Sequence, residues 1–266
     1  MSTDIISATT AGPSLRDTAR VPLSRLVRVE LRKMVDTRAG RWLLVAIVGL
    51  TLAAVVLFAF FGSDGDKTYW NFVGITATPQ GFLLPVLGIL SVTSEWSQRT
   101  GLVTFTLEPH RGRVLAAKVA AVLILGVGFV VLLLAAAAGG NVLGSSLGGD
   151  GSWAFGVGEA SRVFLLQLLG LLGGLAFGVV LLNSAAAIVA SFVLPLATGL
   201  LFNLVPALAD SAAWIDLGTA QAALFDFQGT ITRAEWLQLL VTSLWWVWIP
   251  LAAGVVRVLR AELKSA

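Results

Sequence analysis

The sequence predicts an all-α, polytopic membrane protein with six transmembrane helices and an N-terminal amphipathic helix in the membrane interface. Three observations carry this. First, 57% of the 266 residues are hydrophobic and 12% are charged, with a mean hydropathy of +0.88. Soluble domains hold about 45–50% apolar and about 25% charged residues. Second, the chain contains long stretches free of Asp, Glu, Lys and Arg, each at least as long as the ~20 residues that cross a bilayer. Third, the alternating apolar–polar pattern of a barrel is absent. Helices satisfy every backbone polar group within the segment, so they are the form such stretches take in hydrocarbon. The chain has no cysteine and a single histidine, His110, which excludes disulfides, thiolate sites and His-based metal or catalytic clusters. No catalytic residue and no metal ligand is assigned.

Taken in order, residues 1–21 are polar and Ser/Thr-rich and read as a mobile cytoplasmic tail. They lack the apolar run and small-residue cleavage site of a signal peptide. Residues 22–38 read as the amphipathic helix. Leu23, Leu26, Val27, Leu31, Met34 and Val35 share one face, and Arg25, Arg28, Arg32, Lys33 and Asp36 take the rest. Pro22 suits the first turn, and Glu30, near the apolar stripe, can pair with Lys33. This helix is either a topology anchor alone or also a contact for a partner protein. The spans follow at about 42–62, 70–94, 116–138, 162–182, 186–207 and 236–257. The third span has its end softened by Gly139, Gly140 and Asn141. The fourth and fifth come from one charge-free stretch of 47 residues, 163–209, and Asn183-Ser184 is the most turn-like place to fold it. Together, 22–266 form a single transmembrane domain.

Orientation follows from the cations. Six spans place both termini on one side, and that side then holds fifteen of the 18 Lys and Arg residues; only Lys67, Arg162 and Arg233 lie opposite. The expected location is a bacterial cell membrane, multi-pass, with both termini cytoplasmic. The high pI is thus membrane topology, and no nucleic-acid partner is expected.

The connection at 94–118 is the longest on the cytoplasmic side. Glu95 opens it, Arg99-Thr100-Gly101 follows, and Pro109-His110-Arg111 closes it, with Val103, Phe105 and Leu107 between. Charges at both ends around an apolar middle suit a docking surface, or the cations simply hold topology. Both readings stand on composition alone.

Here the chain resembles a family. Glu30-Leu31-Arg32-Lys33 ends an amphipathic helix, and a first span follows. The second span then runs into Ser94-Glu95-Trp96, Arg99-Thr100-Gly101, Thr104, Thr106, Pro109, Arg111 and Lys118. This is similar to ABC transporter permeases of the second type, the six-span membrane subunits of bacterial exporters. The resemblance implies that 22–38 is a connecting helix. It also implies a coupling helix over 95–101 that seats in a separate ATPase, with Glu95 and Arg99 as charged contacts and Trp96, Thr100, Gly101 and Arg111 in the same coupling region. It further implies short helices between the last two spans. Residues 207–235, with Trp214, Ile215, Leu217, Leu224 and Phe225 among aspartates, are too apolar for a solvated loop and fit a re-entrant or interfacial element. The chain lacks a Gly-x-x-x-x-Gly-Lys-Ser/Thr loop. ATP and Mg are therefore expected in the partner, with two ATPase copies, a second permease chain and membrane lipid completing the assembly, and no cofactor on this chain.

No charged residue lies deep in a span, which argues against an ion-driven carrier and a cation channel. Gln167 and Asn203 either line a path or bond between helices. Gly170, Gly174 and Gly178 form a small-residue packing stripe, and the prolines at 79, 85, 195 and 250 favour kinks. Trp70, Trp236 and Trp42 sit at span ends. Trp245, Trp246 and Trp248 fall mid-span, where Trp245 and Trp248 either wall a path or add packing bulk. The expected function is the permease of an ATP-driven exporter of an amphipathic or hydrophobic substrate such as a drug, lipid or peptide. The alternatives are a non-transport membrane anchor or signalling partner of an ATPase, or an ion-driven carrier.

Overall fold

The computed structural model describes residues 21–97, 108, 110–225 and 229–260. It is all-helical, with no strand among the described residues. α1 (Leu23–Asp36) leads at once into α2 (Arg38–Phe61). α3 (Tyr69–Ser97), α4 (Arg111–Ser146), α5 (Val157–Leu181) and α6 (Ser184–Leu204) follow. Two short helices, α7 (Ala209–Ile215) and α8 (Leu217–Phe225), precede the last long helix, α9 (Arg233–Arg260). Six helices (α2, α3, α4, α5, α6 and α9) are long and apolar enough to cross a membrane. The chain is a multi-pass membrane protein.

The elbow between α1 and α2 is set by two residues. The Thr37 hydroxyl accepts a hydrogen bond from Gly40 N (3.1 Å), capping α2. A Cβ on Gly40 would stand 1.9 Å from the Met34 carbonyl oxygen, so only glycine lets α1 fold this tightly against α2. The turn between α5 and α6 lies where the polar pair in the long apolar stretch placed it. Leu182 takes a left-handed conformation (φ 51°), and Asn183 caps α6 by accepting from Ala186 N at 3.0 Å.

α3 is the hub and packs against α2, α4, α5 and α6. Its tightest partner is α5, where the glycine stripe works from both sides. A Cβ on Gly174 would lie 2.0 Å from the Pro85 oxygen, and one on Gly88 would lie 2.4 Å from the Leu171 oxygen. Backbone thus meets backbone, as small-residue stripes allow in membranes. Ile47, Leu84, Leu87, Val122, Leu171 and Leu175 form the core of one half of the bundle; Val55, Phe72, Val73, Leu133 and Val163 form the other. α6 is much less covered: Val189, Val193, Leu194, Leu196 and Leu200 are exposed along it.

One expectation needs correcting. α4 does not soften at Gly139 to Asn141 but runs on to Ser146. Phe72 fills the space a Cβ on Gly140 would take, at 2.5 Å, so Gly140 is a packing site rather than a breaker. The sixth span departs from a regular helix next to Pro250, one of the prolines read as favouring kinks. Leu244–Trp248 widens into a π turn just before Pro250, whose missing N–H cannot donate back to Trp246.

Residues 207–225 and 229–235 are folded back onto the bundle. The Asp216 carboxylate is buried and accepts from the Thr198 hydroxyl of α6 (3.0 Å) and from Thr219 N and Oγ1 (2.8 Å each). Trp246 Nε1 donates to Ile215 O (2.8 Å), and the Thr242 hydroxyl donates to Ala213 O (3.3 Å). At this same end, residues 64–69 and 150–152 are zipped by backbone hydrogen bonds: Asp150 N to Asp64 O, Gly151 N to Lys67 O and Tyr69 N to Ser152 O, each 2.9 Å.

Candidate functional site

The densest polar chemistry lies at the opposite, Arg-rich end, where α1, α3 and α4 converge. Glu30 and Lys33 stand one turn apart on α1 and pair at 2.7 Å. Glu95, two residues before the end of α3, accepts from Lys33 at 2.8 Å and lies 3.0 Å from Lys118. Lys118, two turns into α4, reaches Glu30 at 2.6 Å and donates to the Ser91 oxygen at 3.3 Å. Two carboxylates and two ammonium groups thus close a neutral ring across three helices. Glu30, Glu95 and Lys118 are each at most 5% exposed, while the Lys33 side chain keeps 38% of its surface. Burial pulls the Lys33 ammonium toward neutrality, but the hydrogen bonds and charges of Glu30 and Glu95 outweigh it. Its pKa is held above the ordinary 10.5.

Apolar packing fixes the ring in place. Val27, Leu31 and Met34 bind α1 to the core, with Trp96 packed beside them. Arg111 donates to Val258 O at 3.1 Å and ties the start of α4 to the end of α9. Beside the ring is a cavity of about 170 Å³, bordered by Glu30, Lys33, Met34, Ser91, Ser94, Ser97 and Ser184. The Ser184 hydroxyl lies 2.7 Å from that of Thr93 and 3.1 Å from that of Ser97, bringing the α6 N-terminus into the same junction.

The candidate residues therefore divide. Glu30 and Lys33 pair as the spacing allowed, but each also bonds beyond α1. Arg25, Arg28 and Arg32 are exposed. Glu95 was expected as a docking contact, yet its carboxylate is turned into the bundle and held by two lysines; the helical register at the end of α3 points it at α1 and α4. Trp96 is half-buried. Arg99, Thr100 and Gly101 lie outside the described residues. Gln167 is buried, with Nε2 donating to Ala77 O at 3.1 Å, a helix-to-helix bond; it also borders an apolar cavity of about 250 Å³ between α4 and α5. Asn203 is exposed and donates within its own helix, to Gly199 O at 2.7 Å. Trp245 and Trp248 are exposed on the outside of α9, 59% and 46% respectively, so they wall no interior path in this conformation.

In the sequence Lys118 reads as a topology charge and as the last residue of the permease-like pattern, with no partner assigned to it. A signal was present: in antiparallel spans, Glu95 at the end of one and Lys118 at the start of the next fall at one level. Trp246 and Asp216 were missed as anchors of the folded-back segment, and their partners lie too far off in the chain to be paired by spacing. Among the described residues no cluster of His, Cys, Asp or Glu suits a metal ion. Comparison of the chain with family models, curated proteins and solved structures gives no match.

Proposed function

We propose that this chain is the membrane subunit of an ATP-driven exporter, dimeric, with two separate ATPase subunits supplying ATP and Mg chemistry. The observation that carries the reading is the neutral ring Glu30–Lys33–Glu95–Lys118. It joins the helix before the first span to the end of the second span and the start of the third, the two helix ends that residues 98–110 connect in the chain. A push on that segment acts on Glu95 at the last turn of α3, and the ring passes it to α1 and α4 as one rigid unit. On this reading α1 is the amphipathic connecting helix, with Arg25, Arg28 and Arg32 toward anionic headgroups. The Arg-rich end and both termini are cytoplasmic. Arg99, Thr100 and Gly101 form the ATPase contact, and Glu95 acts behind it as a positioning residue. The six-span count, the order of α1 and α2, and the charge asymmetry support this. The cargo is an amphipathic or hydrophobic molecule.

The test is a pull-down from gently solubilised membranes. An ATPase should co-purify with the wild type, be lost with Arg99→Ala, and be retained with Glu95→Gln. Substrate-stimulated ATP hydrolysis should fall in both variants. Recovery of no ATPase with the wild type overturns the proposal. An ATPase whose activity ignores every substrate leaves the anchor reading instead.

A further inference from the structure

At the acidic end, away from the ring, the zipped loops and the start of α5 enclose an open cleft of about 680 Å³. Ligand sites typically measure about 300–1,000 Å³. Thr68, Trp70, Asn71, Ser152, Phe155 and Glu159 line it. Its aromatic wall is held by its own stacking. Trp70 lies parallel to Phe155 (5.6 Å, 21°), Phe155 meets Tyr69 edge-on (5.0 Å, 90°), and Tyr69 stacks on Trp153 (5.2 Å, 26°). The lining is also fixed on its polar side. Asn71 Nδ2 donates to Asp66 O at 2.7 Å, and Glu159 Oε2 accepts from Gly156 N at 2.8 Å.

Carboxylates predominate around the cleft. Asp64, Asp66, Asp150 and Glu159 stand on these loops and on the first turn of α5. The cations at hand are Lys67, which is buried and paired with Asp64 at 2.7 Å, and Arg162, which donates to Gly229 O at 3.0 Å. The carboxylates outnumber them. Anions are repelled from such a cleft, and no metal-ligating cluster exists there among the described residues. What it offers is stacked ring faces beside a fixed carboxylate in a water-accessible recess. That combination attracts a positive charge carried on an apolar or aromatic body, because ring quadrupole and carboxylate add.

We infer that this cleft is a binding site for an organic cation of the quaternary ammonium or phosphonium type, entered from the acidic face of the membrane. Trp70 supplies the ring face and Glu159 the counter-charge. The inference stands apart from the exporter reading, since it needs no ATPase.

The test uses the full chain in phosphatidylcholine nanodiscs, titrated with tetraphenylphosphonium by calorimetry, with empty nanodiscs subtracted. The wild type should bind saturably, with one site per chain. Glu159→Gln keeps an oxygen to cap Gly156 but loses the charge, and Trp70→Ala removes the ring. Each should weaken binding by about three- to thirty-fold. Glu159→Asp should retain most of the affinity, and Trp245→Ala, on the exposed side of α9, all of it. Triphenylphosphine oxide, similar in shape and uncharged, should bind at least about tenfold more weakly. Uptake no greater than that of empty nanodiscs overturns the inference. So does equal affinity in Glu159→Gln and the wild type, or equal binding of the uncharged analogue. If Trp70→Ala fails to fold, the Gln and Asp variants at 159 decide the matter alone.

Discussion

Replacing Lys118 by Met keeps the length and apolar stem of the side chain and removes one charge from the ring. Glu30 then loses its 2.6 Å partner and Glu95 its 3.0 Å partner, and both carboxylates must share Lys33, at 2.7 and 2.8 Å. The cluster goes from neutral to one net negative charge, with Glu30 and Glu95 still at most 5% exposed. Stranding a buried charge in this way costs about 3–5 kcal/mol. For a chain of this size each kcal/mol lowers Tm by about 2–4 °C, so Lys118→Met should melt roughly 6–20 °C below the wild type. The charge-balanced double variant Lys118→Met/Glu95→Gln leaves the Glu30–Lys33 pair intact. It should recover at least half of the loss, giving a coupling energy of about 1.5–3 kcal/mol in the double-mutant cycle. The assay is thermal unfolding in nanodiscs, followed by tryptophan fluorescence. A single variant that melts within about 2 °C of the wild type, or a double variant as unstable as the sum of the singles, would refute the view that the ring works as one electrostatic unit.

Three further outcomes are expected. Gly174→Ala puts a methyl 2.0 Å from the Pro85 oxygen and should cost about 1–3 kcal/mol by forcing α3 and α5 apart, while Gly173→Ala, facing Val247 at 3.8 Å, should be silent in the same melt. Asp216→Ala removes the cap of α8 and the bond to Thr198, and should lose about 0.5–2 kcal/mol; its signature is faster protease cutting within 205–232, with α2 to α5 unaffected. The raised pKa of Lys33 means its stabilisation is fully present below pH 10.5 and is lost as pH climbs through the higher folded-state value. The wild type should therefore show an alkaline fall in Tm above pH 10.5 that is smaller in Lys33→Met, and equal slopes in the two proteins would contradict that sign.

The spans were legible because they rest on length and charge-free composition, which hydrocarbon enforces residue by residue. The turn at Asn183 was legible for the same reason: one polar pair interrupts a long apolar stretch. The glycine stripe on α5 could be read as a packing face, but its counterpart, the backbone of α3 around Pro85, could not, because periodicity describes one helix at a time. The fate of Glu95 was hidden for a related reason. A carboxylate at a span end looks alike whether it faces solvent or a neighbouring helix. The difference lies in rotation about the helix axis, which is set by the packing of α3 on α2, α4 and α5. Gln167 and Trp246 carry the same lesson: their bonds to the Ala77 and Ile215 carbonyls join segments 90 and 31 residues apart.

The ring also imposes an order on the protein's own synthesis. Glu30, Lys33 and Glu95 leave the ribosome before Lys118. A chain arrested after its second span therefore carries one uncancelled negative charge in the group destined for burial. Until α4 arrives, burying that group leaves one carboxylate without a cation, which costs free energy. Insertion of the third span brings the missing cation, and only then does sealing the junction cease to be uphill. The ring closes only with the third helix in place, because Lys118 is what brings the net charge of the group to zero.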